Sequence, residues 1–469
     1  MKTIEKDIVI IGAGLTGLTL AFYLKKAGKN VLILEKSDRT GGVVNSVTEN
    51  GFTYETGPST GVLSTLELAE LFEDLQGKCV LETANKQAQK RYIWIKESWE
   101  ALPSGLLSAV KTPLFTLYDK FRILGEPWRK KGGNPDESVA EMVVRRLGKS
   151  FLDYAVDPFL SGVYAGDPYK LITRHALPKL YALEFEHGGF IRGTIAKHKG
   201  VKLNQPHSNA HKITREVFSV YGGLKSLIDA LTEEVGPENI QLGCKQSIIN
   251  PASNGFCTTF IDHSGIEIKA QSDKVVTTIG GYALPDLLPF IDSQLMLHLS
   301  QTNYAPVIQI AVGYNQWTGI KLDAFGGLVS SKDKRNVLGV LFPSAIFSQR
   351  APQGGALLSV FMGGVKRAEL LQLPDEELTQ IVCEELKITM KIDVKPDLLR
   401  IHRYQHAIAQ YDIKSENRFA AIVAIERNYP GLKLAGSFRD GIGMADRVKQ
   451  AKMIANQLNQ ELNCQLKLN

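Results

Sequence analysis

This sequence has few cysteines and no residue pattern typical of a metal site. Its five cysteines are odd in number, lie far apart and never form a C-x-x-C pair. We therefore expect neither a disulfide framework nor a zinc site, and a reducing cytosol is the natural compartment. His402 and His406 have the i, i+4 spacing of helical metal ligands, but no third ligand accompanies them. Polar surface or a local hydrogen bond is the better interpretation of this pair, and we predict no metal.

Long apolar runs are also missing. No uninterrupted run reaches the roughly 18 residues that a membrane-spanning helix needs. The stretch Ile8–Leu24 resembles the core of a signal peptide, but it holds three glycines at motif spacing and no small-residue cleavage site follows it. We expect a cytoplasmic protein that is soluble or peripherally attached to the inner face of a membrane.

No basic block is interleaved with aromatic residues, so we expect no nucleic-acid partner. The formal net charge of the 469 residues is +6, which is mildly basic for this length. This balance suits an anionic substrate or an anionic membrane surface, although a solvated lysine-rich exterior explains it equally well. With 44% hydrophobic and 22% charged residues, the chain is expected to be globular and to build several cores.

A glycine-rich motif follows the first predicted strand, Asp7–Ile11. The motif reads Gly12-Ala13-Gly14-Leu15-Thr16-Gly17, and a predicted helix, Leu18–Lys26, comes next. A second strand, Asn30–Leu34, ends at Glu35. This strand–helix–strand order with a terminal acidic residue is the context that a dinucleotide-binding motif requires.

Each part of the motif has a chemical task. Gly12 permits the tight turn, Gly14 lets the backbone approach a pyrophosphate, and Gly17 allows close packing of helix and strand. The N-terminus of the helix supplies N–H groups and a favourable dipole. Glu35 is placed to accept hydrogen bonds from an adenosine ribose.

The residues after the second strand favour FAD over NAD. Glu35-Lys36-Ser37-Asp38-Arg39-Thr40-Gly41-Gly42 resembles the E-x-x-x-R-x-G-G extension of the flavoprotein amine-oxidase-like superfamily. The resemblance implies that Arg39 neutralises pyrophosphate and that Gly41 and Gly42 pass close to the cofactor. No second G-x-G-x-x-G occurs, so we expect no separate NADPH-binding domain. Oxygen or a quinone is then the expected acceptor that reoxidises the flavin.

The C-terminal end is similar to the superfamily's second flavin segment. A predicted strand, Leu432–Gly436, leads through Gly441-Ile442-Gly443-Met444-Ala445-Asp446 into a predicted helix, Arg447–Leu462. We expect further cofactor contacts from Gly57, Pro58, Ser59, Gly436, Gly443 and Met444. A strand predicted over Ile240–Ile249 carries Gln246 where the superfamily commonly has valine, which weakens the placement of the adenine pocket.

Two blocks differ from the nucleotide fold. Residues 91–208 have helical patterns, including Leu106–Lys111 and Phe115–Lys130, whereas residues 282–419 contain runs that suit strands, as in Val307–Tyr314, Leu338–Phe342 and Leu357–Phe361. We predict a mixed α/β and α+β protein. A Rossmann-like FAD domain would consist of residues 1–90, 209–281 and 420–469. Residues 91–208 would form a helical cap that docks on a membrane, and residues 282–419 a sheet-based substrate domain.

The string Asp157-Pro158-Phe159-Leu160-Ser161-Gly162-Val163-Tyr164-Ala165-Gly166-Asp167-Pro168 resembles the signature of oxygen-dependent protoporphyrinogen oxidases. The resemblance extends through essentially the whole chain. It implies six-electron oxidation of protoporphyrinogen IX to protoporphyrin IX in porphyrin and heme biosynthesis, with hydride transfer to flavin N5 and release of hydrogen peroxide. A peripheral membrane contact is expected on the same grounds, through apolar and lysine-containing segments such as Leu106–Leu124, which would equally suit buried helices. A homodimer is one option for the oligomeric state, which the sequence does not specify.

The resemblance also implies substrate contacts. Arg91 would pair with a propionate, Leu328 and Leu341 would sandwich a pyrrole ring, and Phe361 would stack on the macrocycle. The backbone around Gly162 and Gly166 would line the pocket. Without the resemblance, Arg91 would be interpreted as a surface arginine, and Leu328, Leu341 and Phe361 would be interpreted as core residues. No Ser/His/Asp or Cys/His constellation is evident. We assign no catalytic side chain, and flavin N5 is the expected hydride acceptor.

Three alternatives stay open at this point. Oxidation of coproporphyrinogen III to coproporphyrin III uses the same fold and would require more cationic partners for four propionates. An amine oxidase or carotenoid desaturase is disfavoured by Arg91 and by residues 157–168. A non-catalytic tetrapyrrole-binding flavoprotein would bind porphyrinogen without reducing its flavin.

Overall fold

A computed structural model describes residues 2–103, 111–203 and 212–466. The strands are β1 (Lys2–Ile11), β2 (Val31–Leu34), β3 (Ser46–Glu49), β4 (Phe52–Glu55), β5 (Gly61–Val62), β6 (Leu81–Thr83), β7 (Lys90–Ile95), β8 (Ser98–Ala101), β9 (Val217–Val220), β10 (Ile240–Gln241), β11 (Lys245–Ala252), β12 (Gly255–Ile261), β13 (Glu267–Thr277), β14 (Tyr304–Tyr314), β15 (Ala324–Val329), β16 (Val337–Leu341), β17 (Ala356–Gly363), β18 (Leu398–Ala409) and β19 (Leu432–Leu434). The longer helices are α1 (Leu15–Lys26), α2 (Leu66–Asp74), α3 (Leu117–Leu124), α4 (Val139–Arg146), α5 (Asp157–Val163), α6 (Pro178–His187), α7 (Phe190–Leu203), α8 (Lys225–Val235), α9 (Ser293–Ser300), α10 (Asp375–Met390), α11 (Ser415–Asn428) and α12 (Met444–Leu466).

The first sheet is the nucleotide-type sheet predicted from the two ends of the chain. Its order is β10-β2-β1-β13-β12-β11, with β19 also paired to β13. β1 runs parallel to both β2 and β13, and β19 runs parallel to β13. The central strand is apolar without alternation, and Ile8, Val9 and Ile10 are fully buried. Such a run is typical of a parallel strand that is covered on both faces, and α1 and α12 contribute to the core on one of them.

Two element boundaries in this sheet differ from the sequence prediction. α1 begins at Leu15 rather than Leu18, directly after the glycine turn. The strand predicted over 240–249 is interrupted: β10 ends at Gln241 and β11 starts at Lys245. Gln246 has a φ of +49° at a register shift in β11, so a bulge stands where the sequence departs from the superfamily.

The second sheet has the order β18-β14-β17-β16-β15-β7-β8. Its side chains alternate between two faces. On one face, Ile308 and Ile310 of β14 pack with Leu378 and Val382 of α10. On the other face, Ala311 packs against Phe52 of β4, which pairs with β3 in a separate two-stranded sheet.

The helical block needs one correction. The sequence assigned residues 91 onward to the helical cap, but β7 pairs in parallel with β15 and β8 pairs with β7, so residues 90–101 extend the second sheet. The reason is long-range strand pairing, which a local pattern does not reveal.

The helix predicted over Phe115–Lys130 is shorter than expected. A capping box formed by Thr116 and Asp119 starts α3, which ends at Gly125, and a 3-10 turn containing a proline follows over Glu126–Trp128. Most of the segment Leu106–Lys111 lies outside the described residues. None of the helices in the described ranges is long and apolar enough to cross a membrane.

Candidate functional site

The glycine turn between β1 and α1 is built for a close backbone approach. Thr278 Oγ1 donates to the carbonyl oxygens of Ile11 at 2.9 Å and Gly12 at 3.2 Å, which fixes the turn from the neighbouring strand. A Cβ on Gly17 would lie 1.9 Å from the Gly12 oxygen, so only glycine fits there. No side chain caps the start of α1 at Gly14. The first N–H groups of this helix are therefore available to an anion.

This turn leaves space where a pyrophosphate is expected. A Cβ added to Gly14 would meet no atom within 4 Å. Gly41 forms an isolated parallel bridge with Gly14 and donates its N–H to Ala13 O at 2.8 Å. A Cβ on Gly42 would lie 3.4 Å from the Gly14 Cα. Two glycine segments thus form the walls of an open cradle. The side chains of Ala13, Leu15 and Thr16, in and next to this turn, are buried.

Glu35 lies at the end of β2 beside this cradle. Its Oε2 accepts from the Ala13 N–H at 2.7 Å and its Oε1 from the Ser37 N–H at 2.8 Å. Because each carboxylate oxygen has two lone pairs, acceptor capacity is left for a ribose hydroxyl. Lys36 is exposed. Arg39 donates to the carbonyl oxygens of Thr40 and Gly42, so its guanidinium supports the second glycine segment.

The remaining predicted cofactor residues lie in two further segments. A Cβ on Gly57 would lie 2.1 Å from the Val43 oxygen, so the chain Gly57-Pro58-Ser59 runs directly against the segment after Gly42. Ser59 Oγ is buried without a hydrogen-bond partner among the described residues. Such an orphan hydroxyl suits a ligand atom that the chain itself does not supply.

At the C-terminal segment, Gly436 has a φ of +126° and donates its N–H to Gln450 Oε1 at 2.9 Å. Met444 begins α12, and Asp446 Oδ2 accepts from the Gly443 N–H at 3.1 Å. Arg447 holds the loop before the helix by donating to the carbonyl oxygens of Arg439 and Gly441. The open cradle, the uncapped start of α1 and the orphan Ser59 hydroxyl together fit FAD.

The second sheet brings the predicted substrate residues to one face. Gly326 is registered with both Arg91 of β7 and Leu341 of β16. Leu328 is registered with Gly339, which is in turn registered with Phe361. Residues opposite one another on neighbouring strands share a face. Arg91, Leu341, Leu328 and Phe361 therefore lie in two adjacent rows on one side of the sheet, which we call the substrate face.

Each leucine on this face lies over a glycine. A Cβ on Gly339 would approach Leu328 Cδ2 to 2.9 Å, and a Cβ on Gly326 would approach Leu341 Cδ2 to 3.0 Å. The two glycines thus leave room for the leucine side chains above them. Gly162 of α5 packs on the outer side of Leu328, where an added Cβ would lie 2.4 Å from the same atom.

Gly166 is held by residues outside the sheet's two rows. A Cβ there would meet Gln410 Oε1 at 2.6 Å and Leu171 at 2.9 Å. The structure brings together Arg91, Leu328, Leu341, Phe361 and Gly162, and Ala165, the neighbour of Gly166, packs with Phe361. The pocket contact of Gly166 stays a prediction.

Arg91 differs from its neighbours in having no partner. Its side chain is exposed, and within the described ranges it donates no hydrogen bond and forms no ion pair. Lys90, in contrast, forms a salt bridge with Asp323 at 2.7 Å. A guanidinium at the edge of an apolar face is suited to a carboxylate on a flat apolar ligand.

Sequence reasoning missed three polar residues on the substrate face. Gln309, Ser359 and His402 have side-chain nitrogen or oxygen atoms that are buried without a hydrogen-bond partner in the described chain. The available signal was a polar residue inside an apolar strand, as in the run VIQIAV of β14. The pKa of His402 is lowered by burial and by the nearby charge of Arg400.

The histidine pair is arranged differently from a helical metal site. His402 and His406 lie on β18, not on a helix, and the His406 ring stacks on Tyr282 with a centroid separation of 4.0 Å. The residues that the structure describes contain no group of three or more His, Cys, Asp or Glu side chains that could hold a metal ion.

Comparisons with known proteins agree with this architecture. A solved structure from Exiguobacterium sp. 255-15 superposes with a TM-score of 0.80 and 24% identity, covering 97% of this chain and 99% of that one. Protoporphyrinogen oxidase 2 of Arabidopsis thaliana is 29% identical over 468 residues, which cover 94% of this chain and 92% of the relative. Coproporphyrinogen III oxidase of Bacillus subtilis (strain 168) is 25% identical over 471 residues, which cover 96% and 97%.

The family model for flavin-containing amine oxidoreductases matches residues 15–458, which include the start of α1, the substrate face and most of α12. The match confirms the superfamily and the flavin cofactor expected from the motifs at the two ends of the chain. This chain belongs to the flavin-containing amine oxidoreductase family.

Proposed function

We propose that this chain is an FAD-dependent oxidase of protoporphyrinogen IX, which it converts to protoporphyrin IX with molecular oxygen as the acceptor. The observation that carries the proposal is the substrate face, where an unpartnered Arg91 stands beside two leucines that lie over glycines. This combination suits a flat apolar macrocycle with a carboxylate at its edge. The relatives named as porphyrinogen oxidases cover nearly the whole chain.

The residues of the chain act by binding and orientation. Gly12–Gly17, Glu35 and the segment Gly41–Gly42 would hold FAD, which when bound supplies the hydride acceptor. The substrate face would hold the macrocycle with a bridging carbon toward the cofactor. Because the pyrrole nitrogens donate electron density as hydride leaves, orientation and exclusion of competing reactions are the main tasks of the protein.

Charge on the substrate face favours a substrate with two propionates over one with four. Besides Arg91, one arginine of the described strands of the second sheet lies on this face: Arg400 of β18, which is registered with Ala311. Arg400 is bound by Glu49 at 2.9 Å, so the chain itself neutralises this cation. Coproporphyrinogen III oxidation stays the second candidate, because a relative of that name matches 96% of the chain.

The test is anaerobic mixing of the FAD-loaded protein with protoporphyrinogen IX and, separately, with coproporphyrinogen III. Flavin absorbance is followed first, then air is admitted and porphyrin fluorescence and oxygen uptake are recorded. We expect fast bleaching and turnover with protoporphyrinogen IX. Faster turnover of coproporphyrinogen III would replace the first candidate by the second. Binding of both without bleaching would identify a non-catalytic tetrapyrrole-binding protein and overturn the proposal.

A peripheral contact with the inner face of a membrane belongs to the same proposal, as does a cytoplasmic location. α3 and the turn after it expose large apolar side chains: Leu117 is 72% exposed, Phe121 71% and Trp128 79%. Single exposed apolar residues are common, but three large ones within twelve residues of the sequence are typical of an interaction surface. Lys130 and Lys131 follow two and three residues after Trp128 in the sequence and suit anionic headgroups. A homodimer stays a prediction.

A further inference from the structure

Gln309 is a buried amide with nothing to bind. It lies in the middle of β14 and is 1% exposed, and neither its Oε1 nor its Nε2 has a hydrogen-bond partner among the described residues. Ser359 of β17 is also 1% exposed, and its Oγ is likewise without a partner in the described chain. A buried polar group without a hydrogen-bond partner lowers the free energy of unfolding, so the presence of two such groups here needs an explanation.

The register fixes the direction in which Gln309 points. Its neighbours Ile308 and Ile310 pack toward α10. Because side chains alternate along a strand, Gln309 points to the opposite, substrate face. Two residues away and on that face, Val307 packs with Phe361 and with Ala165 of the 157–168 string.

Both polar residues sit beside predicted macrocycle contacts. Gln309 is registered with Phe361, and Ser359 is registered with Leu341. Directly opposed residues have Cβ atoms about 4.5–5.5 Å apart. A ring held by Phe361 and Leu341 would therefore lie next to the Gln309 amide and the Ser359 hydroxyl, and it reaches them when the chain atoms that cover these groups, each 1% exposed, move aside.

The tetrapyrrole has the matching chemistry. A porphyrinogen presents four pyrrole N–H donors and no nitrogen acceptor, whereas a porphyrin presents two donors and two acceptors. An amide and a hydroxyl each donate and accept, so they can pair with both. The leucines recognise a flat apolar surface but no particular rotation of the ring.

We propose that Gln309 and Ser359 bind the pyrrole nitrogens of the tetrapyrrole and set the rotation of the macrocycle on the substrate face. This inference rests on the proposed function. It assigns a binding role to two residues whose side chains have no hydrogen-bond partner in the described chain. Their hydrogen bonds would fix the orientation of a ring that the apolar side chains alone do not orient.

The test compares Gln309→Leu and Ser359→Ala with Thr258→Val. Thr258 is a matched control, because its hydroxyl is fully buried and unpartnered in the described chain but lies on β12 of the first sheet. Protoporphyrin IX is titrated into each FAD-loaded protein, and the rate of flavin reduction by protoporphyrinogen IX and the unfolding temperature are measured.

We expect Gln309→Leu to weaken porphyrin binding about tenfold and Ser359→Ala severalfold, with slower flavin reduction. The unfolding temperature without porphyrin should not fall, because leucine removes an unpaired amide at nearly constant volume. Thr258→Val should leave affinity and rate unchanged.

Three outcomes would overturn the inference. Wild-type affinity in both variants would show that water alone satisfies the two groups. A fall in unfolding temperature with unchanged affinity would show a structural role. A changed flavin spectrum before porphyrin is added would show that the amide contacts the cofactor instead. Failure of the wild-type protein to bind or oxidise either porphyrinogen is a separate result, which overturns the proposed function and this inference with it.

Discussion

Lys90 and Arg91 are adjacent cations on β7 in different electrostatic situations. Lys90 is neutralised by Asp323, whereas Arg91 is exposed and without a partner among the described residues. We expect Arg91→Lys to raise the KM for protoporphyrinogen IX about tenfold, because an ammonium cannot form the two parallel hydrogen bonds of a guanidinium. Arg91→Ala should raise it further, and kcat should change less than KM in both.

Steady-state kinetics at constant ionic strength measure this effect, with Lys90→Ala as the control on the same strand. Because Lys90 already binds Asp323, its loss should change KM little. Equal KM increases in the two alanine variants would mean that general positive charge, not a specific propionate contact, attracts the substrate.

At the scale of single residues, the sequence predicted those positions whose function depends on local geometry. Gly17 must lack a Cβ because the Gly12 oxygen is five residues away and 1.9 Å from that position. Gln309 could not be assigned in this way. Its cross-strand neighbours, Phe361 and His402, are far along the chain, and their common face follows only from the register of three strands.

At the scale of elements, α3 and the turn after it carry the proposed membrane contact. We expect the double variant Phe121→Ser, Trp128→Ser to bind anionic phospholipid vesicles more than tenfold more weakly than the wild type, since each side chain loses its apolar transfer energy. Its unfolding temperature should stay the same, because both side chains are already more than two-thirds exposed at 71% and 79%. Vesicle co-sedimentation measures binding.

The matched control is Val423→Ser on α11, where the apolar side chain is 64% exposed outside the α3 region. It should bind vesicles like the wild type. Unchanged binding by the double variant would remove α3 from the proposed membrane contact, and equal binding to zwitterionic vesicles would remove the electrostatic part.

Element types were easier to predict than element partners. The periodicity of 115–130 indicated a helix, but Gly125 and Pro127 end α3 after Leu124. The strands β7 and β8 were assigned to the helical block because nothing local connects them to β15, more than 200 residues later in the sequence. The N-terminal unit was predicted in its correct order because its turn, helix and strands are consecutive.

At the scale of the whole molecule, the cofactor site joins parts of the chain that are distant in sequence. Strands β1 and β2, β13 and β19 form one parallel core, and α1 packs with α12 from the far end. A ligand that binds only this assembled state stabilises it by mass action, by about 2.7 kcal/mol at one hundred times its Kd. We expect FAD at that excess to raise the unfolding temperature of flavin-free protein by roughly 3 °C.

Gly14→Ala separates cofactor binding from folding in the same experiment. The added methyl group meets no protein atom within 4 Å, so the flavin-free variant should unfold within about 1 °C of the wild type. It occupies the space expected for pyrophosphate, however, and should abolish most of the shift produced by FAD. Gly133→Ala, which also meets no atom within 4 Å, should keep the full shift. If Gly14→Ala kept the full shift as well, the cradle between Gly14 and Gly41 would not be the pyrophosphate site, and the fit of FAD to these residues would have to be abandoned.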